Sequence, residues 1–134
     1  MKFIKKIVSD WFYSKASSKM RKEEYKEAID IYMKVLDLEK DSGIVNAITL
    51  FEIGYCHYNC DHFDKALHYF TKSYNIYKKN KTIMKMKPFY YLLIYYSSLL
   101  KRKGDIELAD QIFKEAKEIE AVKGSIRMNR AITK

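Results

Sequence analysis

Glycine, proline and cysteine are all scarce in this sequence of 134 residues, which contains four, one and two of them respectively. With so few turn-forming residues, a many-stranded sheet lacks the turns that it requires, and long helices are favoured. Apolar residues make up 48% of the chain, which is enough to build a packed core and argues against global disorder. The composition therefore predicts a single all-α domain, since the length is too short for two ordinary domains.

Long hydrophobic runs are also lacking. The closest candidate, PFYYLLIYYSSLL, has 13 residues and is rich in tyrosine, whereas a membrane span needs about 20 apolar residues. Lys5, Lys6 and Asp10 interrupt the apolar residues at the start of the chain, so no signal peptide is expected. The two cysteines, Cys56 and Cys60, indicate a reduced chain in the cytoplasm more than a disulfide scaffold.

The segment FEIGYCHYNCDHFDKALHYF, residues 51 to 70, raises the question of a metal site because it holds both cysteines and all three histidines. Cys56 and Cys60 are four residues apart, but no second ligand pair with zinc-site spacing follows them. A free cysteine on a packing stripe, as expected for Cys60, behaves as a small hydrophobic residue. Phosphate-binding loops and nucleophile motifs are missing as well, so we expect neither a metal, nor a cofactor, nor an enzyme.

Apolar residues recur at three-to-four spacing, which predicts amphipathic helices. The first helix is expected over about 3–20, with an apolar stripe formed by Phe3, Ile4, Ile7, Val8, Trp11 and Phe12. A second helix follows almost at once and stops before 41–43, and polar turns at 59–61 and 103–105 separate the later helices. The pattern predicts three helical hairpins in line.

A small residue in the first helix of each hairpin is followed, twelve positions later, by alanine in the second helix; the pairs are Ala16 and Ala28, Gly54 and Ala66, and Ser97 and Ala109. Small residues at both positions let two antiparallel helices approach closely. Four residues after each alanine, a large side chain is expected to fill the adjoining groove; these are Tyr32, Phe70 and Phe113.

This register resembles the tetratricopeptide repeat, whose pattern is W-x2-L-G-x2-Y followed by A-x3-F. The second copy has Leu50-x2-Ile53-Gly54 and Ala66-x3-Phe70, and the third has Leu93-x2-Tyr96-Ser97 and Ala109-x3-Phe113. Three departures are clear. Successive alanines are 38 and 43 residues apart, against a repeat of about 34, and the terminal prolines are missing. The tyrosine of the first helix is replaced by Lys19, His57 and Leu100.

The resemblance implies a short right-handed superhelix of six to seven helices, forming one domain over residues 1–134. The expected units are repeat 1 at about 3–40, repeat 2 at about 44–79, repeat 3 at about 83–122, and a C-terminal capping segment at 124–134. A short capping helix is expected from Ser125, since terminal repeats need a polar-backed cap. If the tail leaves the last hairpin uncovered, the apolar edge of that hairpin becomes a surface for homo-oligomerisation.

Repeats of this kind bind partners on the concave surface that the first helix of each pair lines. We therefore predict a non-enzymatic module that binds a peptide or protein segment, of adaptor, chaperone or neutralising-partner type. The predicted groove residues are Tyr13, Met20, Arg21, Ile48, Phe51, Tyr55, Tyr58, Asn59, Tyr91, Ile94, Lys101 and Arg102, with Ser17 and Ser98 beside them. The aromatic residues are suited to anchoring a segment, and Lys101, Arg102 and Arg21 to holding an acidic group.

The net charge of +9 keeps two alternatives open. Six lysines between residues 72 and 87 are interleaved with Tyr74 and Tyr77, a combination that can bind nucleic acid or another anionic surface; these are Lys72, Lys78, Lys79, Lys81, Lys85 and Lys87. The basic, amphipathic start MKFIKKIVSDWF could instead lie on a membrane surface, although the first hairpin needs the same helix.

Overall fold

The computed structural model describes residues 2–80 and 87–132, and the side chains of 2–80 and 87–120. Six helices account for nearly all of these residues: α1 Lys2–Arg21, α2 Tyr25–Leu38, α3 Gly43–Asn59, α4 Phe63–Lys79, α5 Lys87–Lys103 and α6 Ile106–Ile132. No strand is present in the described ranges. The prediction of an all-α chain built from helical hairpins is therefore confirmed, with α1–α2, α3–α4 and α5–α6 as the pairs.

The turns inside the three hairpins share one geometry. Each contains a residue with positive φ at the same point of the repeat: Glu23 at 63°, Asp61 at 62° and Gly104 at 94°. The next residue donates its backbone N–H to the carbonyl oxygen five residues earlier, in the pairs Glu24 to Lys19, His62 to His57 and Asp105 to Leu100. This bond satisfies a carbonyl at the helix end, as in a Schellman motif. Equal turns place the second helix of each hairpin in the same register.

The paired small residues lie where the helices of each hairpin cross. Ala16, Ala28, Ala66 and Ala109 are buried, and Gly54 lies against the ring of Phe70. Tyr32 and Phe70 are fully buried, as the pattern predicts. Phe113 is a correction, because 43% of it is exposed, Lys117 lies over its ring, and Ile112 takes the buried place.

The apolar stripe of α1 was expected to pack in the first hairpin, and this is wrong for its first three turns. The exposed fraction is 75% for Phe3 and 54% for Trp11, and Ile4, Ile7 and Val8 are exposed too. The helix contacts the domain with its opposite face, where Ser9 and Ala16 are buried and Tyr13 packs on Tyr32. A stripe on the helix shows which side is apolar, but the neighbouring helix decides which side is covered.

We expect the double substitution Ile4→Gln/Ile7→Gln to change the free energy of unfolding by less than about 0.5 kcal/mol, because exposed side chains away from packing contribute little. Urea unfolding followed by circular dichroism measures this change. The matched control, Ile53→Gln, replaces a fully buried isoleucine of α3 and should cost several kcal/mol. A loss above about 1.5 kcal/mol for the α1 pair would show that this face is covered in solution.

The C-terminal segment also differs from expectation. No new helix begins at Ser125, because α6 continues without a break from Ile106 to Ile132. Glycine in a helix interior is only mildly unfavourable relative to alanine, so Gly124 does not end the helix. Whether residues 124–134 cap the last hairpin stays a prediction, since their side chains lie outside the described residues.

Candidate functional site

A cleft of about 240 Å³ opens where α1, α3 and α5 come together. These are the first helices of the three hairpins, and because equal turns repeat along the stack they lie on one side of it. The lining side chains are Met20 from α1, Phe51, Glu52 and Tyr55 from α3, and Tyr91 and Tyr95 from α5. The walls are therefore mainly aromatic, with one carboxyl group among them.

Aromatic contacts hold the walls of this cleft in place. Tyr95 meets Tyr55 and Tyr58 edge to face, with ring centroids 5.4 Å and 5.2 Å apart. Phe51 lies 5.8 Å from the ring of Phe70, which is fully buried between α3 and α4. Edge-to-face pairs of this kind contribute about 0.5–1.5 kcal/mol beyond the buried area. The cleft is thus formed by side chains whose positions the core already fixes.

Four of the predicted groove residues line the cleft: Met20, Phe51, Tyr55 and Tyr91. Others lie next to it, since Tyr13 reaches Glu52 with its hydroxyl and Tyr58 packs between Phe63 and Tyr95. The remaining predicted residues are placed as follows: Ile48, Ile94 and Ser17 half-buried; Ser98, Arg21 and Lys101 exposed; Asn59 exposed with its side chain donating to the Tyr55 carbonyl at 2.8 Å; and Arg102 over the ring of Phe63 at 4.1 Å.

Two lining residues, Glu52 and Tyr95, are absent from the groove that the sequence predicts. Glu52 follows Ile48 by four positions, and Tyr95 follows Tyr91 by four, so each shares a helix face with a predicted groove residue. The i, i+4 rule could have found both. The sequence analysis does not place Glu52 in the groove, because a charged side chain next to a packing stripe is normally exposed to solvent.

Glu52 has an unusual environment for a carboxylate. Its Oε1 accepts a hydrogen bond from the Tyr13 hydroxyl at 3.4 Å, a long distance for this type of bond. Burial raises the pKa of the Glu52 carboxyl to about 7, and the bond from Tyr13 opposes the rise only in part. Burial, followed by the charge of Glu52, also raises the pKa of the Tyr13 and Tyr32 hydroxyls. The cleft therefore holds an acid that changes its charge near neutral pH.

The cysteines and histidines are distributed differently from the predicted packing stripe. Cys56 is the fully buried cysteine, whereas Cys60 is half-buried where α3 ends. His57 stacks flat on Tyr69, with ring centroids 5.6 Å apart, and His68 meets the same ring edge on. In the described ranges, no group of three or more His, Cys, Asp or Glu side chains is placed to hold a metal ion.

The basic stretch at 72–87 is partly engaged in packing between α4 and its neighbours. Lys78 forms an ion pair of 3.1 Å with Glu115 of α6, and the Tyr74 hydroxyl donates to the same carboxylate. Tyr77, expected to be available for stacking on bases, is fully buried against Phe89. Of the other lysines, Lys72, Lys79 and Lys87 are exposed, and Lys81 and Lys85 lie outside the described residues.

Stacked helical hairpins with a cleft along their first helices define a repeat scaffold of the protein-interaction class. The family model of the tetratricopeptide repeat matches residues 12–42. Residues 12–42 therefore match a tetratricopeptide repeat, in agreement with the resemblance that the spacing indicates. This match covers α2 and the part of α1 that packs on it.

Two solved structures are similar to the chain. The "MamA RS-1 ArsTM double mutant" is 13% identical, with 87% of this chain and 78% of that chain covered at a TM-score of 0.47. "MamA 41-end from Desulfovibrio magneticus RS-1" is 14% identical, with 85% and 76% covered at a TM-score of 0.45. No curated protein matches the chain. Among the described residues, no helix is long and apolar enough to span a membrane.

Proposed function

We propose that this protein binds a segment of another protein in the cleft between α1, α3 and α5, without catalysing a reaction. The observation that supports this most is the set of four aromatic side chains that α3 and α5, from two separate hairpins, bring to one cleft beside Met20 of α1. Tyrosine and phenylalanine bury a large area on binding and lose little conformational entropy. They are therefore suited to anchoring a side chain or a short segment of a partner.

The cleft is sized for part of a partner and not for a large cofactor. Its volume of about 240 Å³ lies below the usual range of about 300–1,000 Å³ for small-molecule sites. Tyr91, at its edge, is 42% exposed, so an occupant can continue beyond the cleft along the surface of α5. This geometry favours a protein segment that inserts one side chain and lays its backbone across the first helices.

Three basic residues stand near the ends of the first helices, with Arg21 at the end of α1 and Lys101 and Arg102 near the end of α5. An acidic group of the same segment could pair with Arg21 or Lys101, which are both exposed. Arg102 already lies over the ring of Phe63, so its guanidinium group would have to contact that ring and the acidic group at the same time. The adaptor, chaperone or neutralising type of the module and its location in the cytoplasm remain predictions from the sequence.

The test is selection from a displayed library of random peptides, followed by measurement of Kd by fluorescence polarisation. We expect the selected peptides to lose at least about tenfold in affinity for Tyr55→Ala/Tyr91→Ala, because central aromatic residues carry much of the binding energy of an interface. The matched control is Phe113→Ala, which removes an exposed ring from α6, outside the cleft. Equal binding by both variants would contradict the proposal, provided that circular dichroism shows both to be folded.

Nucleic-acid binding through the 72–87 stretch is the alternative, and the same protein can report on it. If a labelled single-stranded oligonucleotide binds and its affinity falls steeply with increasing salt, lysine side chains contact its phosphate groups. The packing of Tyr77 and the pairing of Lys78 with Glu115 make this the less favoured function.

A further inference from the structure

Glu52 is a partly buried acid that forms no ion pair with the described residues. It lines the cleft, and its hydrogen-bond donor is the neutral hydroxyl of Tyr13. No ion pair formed by residues 2–80 and 87–120 includes Glu52. A carboxylate out of water is costly unless a positive charge or several hydrogen bonds compensate it. Within the described part of the chain, the cleft therefore holds a carboxyl group whose charge no lysine or arginine neutralises.

The rings around Glu52 favour a cation for an independent reason. The face of an aromatic ring carries negative partial charge, so that an ammonium or guanidinium group within about 6 Å of its centroid is attracted. Tyr55 and Tyr95 meet at 5.4 Å, and Phe51 lies 6.3 Å from Tyr55, so three rings surround a small volume. Aromatic walls and one carboxylate are the chemistry that recognises alkylammonium groups.

The chain already places its own cations on rings at both ends of this surface. Lys87 lies over Tyr91 with Nζ 5.9 Å from the ring centroid, and Arg102 lies over Phe63 at 4.1 Å. Neither of them forms an ion pair with Glu52. The centre of the cleft is thus the part of the aromatic surface where a cation is missing although the carboxyl group is present.

We propose that the cleft binds the ammonium group of a lysine side chain from the partner segment, with Glu52 as its ion-pair partner and Phe51, Tyr55 and Tyr95 as its aromatic walls. This proposal rests on the proposed function and names the chemistry of the segment. A lysine fits because its narrow aliphatic stem suits apolar walls while its compact charge reaches the carboxylate. The acidic group expected at the Arg21 and Lys101 end would belong to another residue of the same segment.

The binding of a cation should depend on pH, since the pKa of Glu52 is raised to about 7 by burial. Below that pH the carboxyl is mainly neutral and offers only a hydrogen bond; above it the carboxylate attracts the ammonium group. Other titratable or charged groups lie around Glu52 on every helix packed near it; they are Tyr13 on α1, Tyr32 on α2, Tyr55 and Cys56 on α3, Tyr77 on α4, Tyr91 and Tyr95 on α5, and Lys87 at the rim. Burial raises the pKa of Cys56 to about 12 and that of Tyr13, Tyr32 and Tyr77 as well, which leaves these four neutral between pH 6 and pH 8.

The direct test uses n-butylammonium chloride, with 1-butanol as the neutral probe and sodium butyrate as the anionic one. The reporter is the methyl group of Met20, which lines the cleft, in protein labelled with ¹³C at the methionine methyl groups and measured by NMR. At pH 8 we expect butylammonium to reach half-saturation at a concentration about tenfold lower than butanol, a difference typical of a partly desolvated cation on aromatic rings. In Glu52→Gln, which keeps an acceptor for Tyr13, the two probes should differ by less than about twofold.

A second arm uses the peptides selected by display. Replacing the anchoring lysine by norleucine should weaken binding about tenfold to the natural protein and less than about twofold to Glu52→Gln. Peptides that depend on Tyr55 and Tyr91 but lose nothing when lysine is replaced would overturn the lysine proposal and leave the proposed function standing. Binding of butanol or butyrate as tight as that of butylammonium would overturn the lysine proposal in the same way. Peptides whose affinity does not change in Tyr55→Ala/Tyr91→Ala would contradict the proposed function itself.

Discussion

Replacing Gly54 by alanine is expected to lower the free energy of unfolding by about 2 kcal/mol, although alanine is the better helix former. A Cβ atom at Gly54 would lie 2.6 Å from two ring carbons of Phe70. This ring is fully buried and stacks on Phe51, so it has little room to move. Overpacking of this kind typically costs about 1–3 kcal/mol. Urea unfolding monitored by circular dichroism gives the change.

Gly43→Ala is the matched control for this prediction. Gly43 is the first residue of α3, and no atom lies within 4 Å of a Cβ built there. Alanine should therefore be neutral or stabilising by up to about 1 kcal/mol, because glycine loses more backbone entropy on folding. In the double variant Gly54→Ala/Phe70→Leu the two losses should fail to add, since leucine removes the ring edge that clashes. A neutral Gly54→Ala would mean that α3 and α4 can separate at no cost.

The stability of the natural protein should fall relative to that of Glu52→Gln as the pH rises from about 4.5 to about 8. The folded carboxyl has a pKa near 7, whereas the ordinary value is 4.5. Between these values the folded state binds more protons than the unfolded state, so its free energy of unfolding decreases with increasing pH. The contribution is fully present below the unfolded pKa and is lost as the pH passes the folded one. Because Glu52 is only partly buried and solvent screens part of the effect, we expect a relative change of roughly 2 kcal/mol, less than the full shift would give.

Urea unfolding of both proteins at pH 4.5, 6, 7 and 8 measures this change. The difference between the two proteins isolates Glu52, because their other titrating groups are identical. Glutamine should be the more stabilising residue at pH 8, where the natural protein carries an uncompensated carboxylate in the cleft. A difference that does not vary with pH would show that water reaches Glu52 freely. That result would also remove one support for a cationic occupant, independently of any binding assay.

The hairpins could be predicted from the sequence because their signals are local. The offset of twelve residues between small positions, as in Gly54 and Ala66, acts within one pair of helices joined by a short turn. Asp61 and Gly104 lie at the same point of the repeat and suit the positive φ that this turn requires. The equal turns then reproduce the same crossing three times. Four of the cleft-lining residues can be found in this way, since they lie on the first helices beside the packing stripe.

The errors arose where a residue's surroundings depend on another hairpin. The apolar stripe of α1 does not show that Phe3 and Trp11 face away from the domain, because the pattern of one helix does not determine where the neighbouring helices lie. Phe113 follows the repeat pattern and is nevertheless exposed, because the adjacent Ile112 takes the buried place on α6. Tyr77, which the sequence pattern made a candidate for stacking on the bases of a nucleic acid, is buried against Phe89 from the next hairpin.

The sequence by itself determined that this chain forms helical hairpins whose spacing resembles that of the tetratricopeptide repeat, because this spacing depends on residues that are close in the chain and that pack closely in one hairpin. Only the tertiary structure decided that Met20, Glu52 and Tyr95 meet in one cleft. They come from three hairpins, and their distances follow from how the helices stack. The same stacking removes part of the hydration of Glu52, and this loss, which the residue type does not show in isolation, raises the pKa of its carboxyl group.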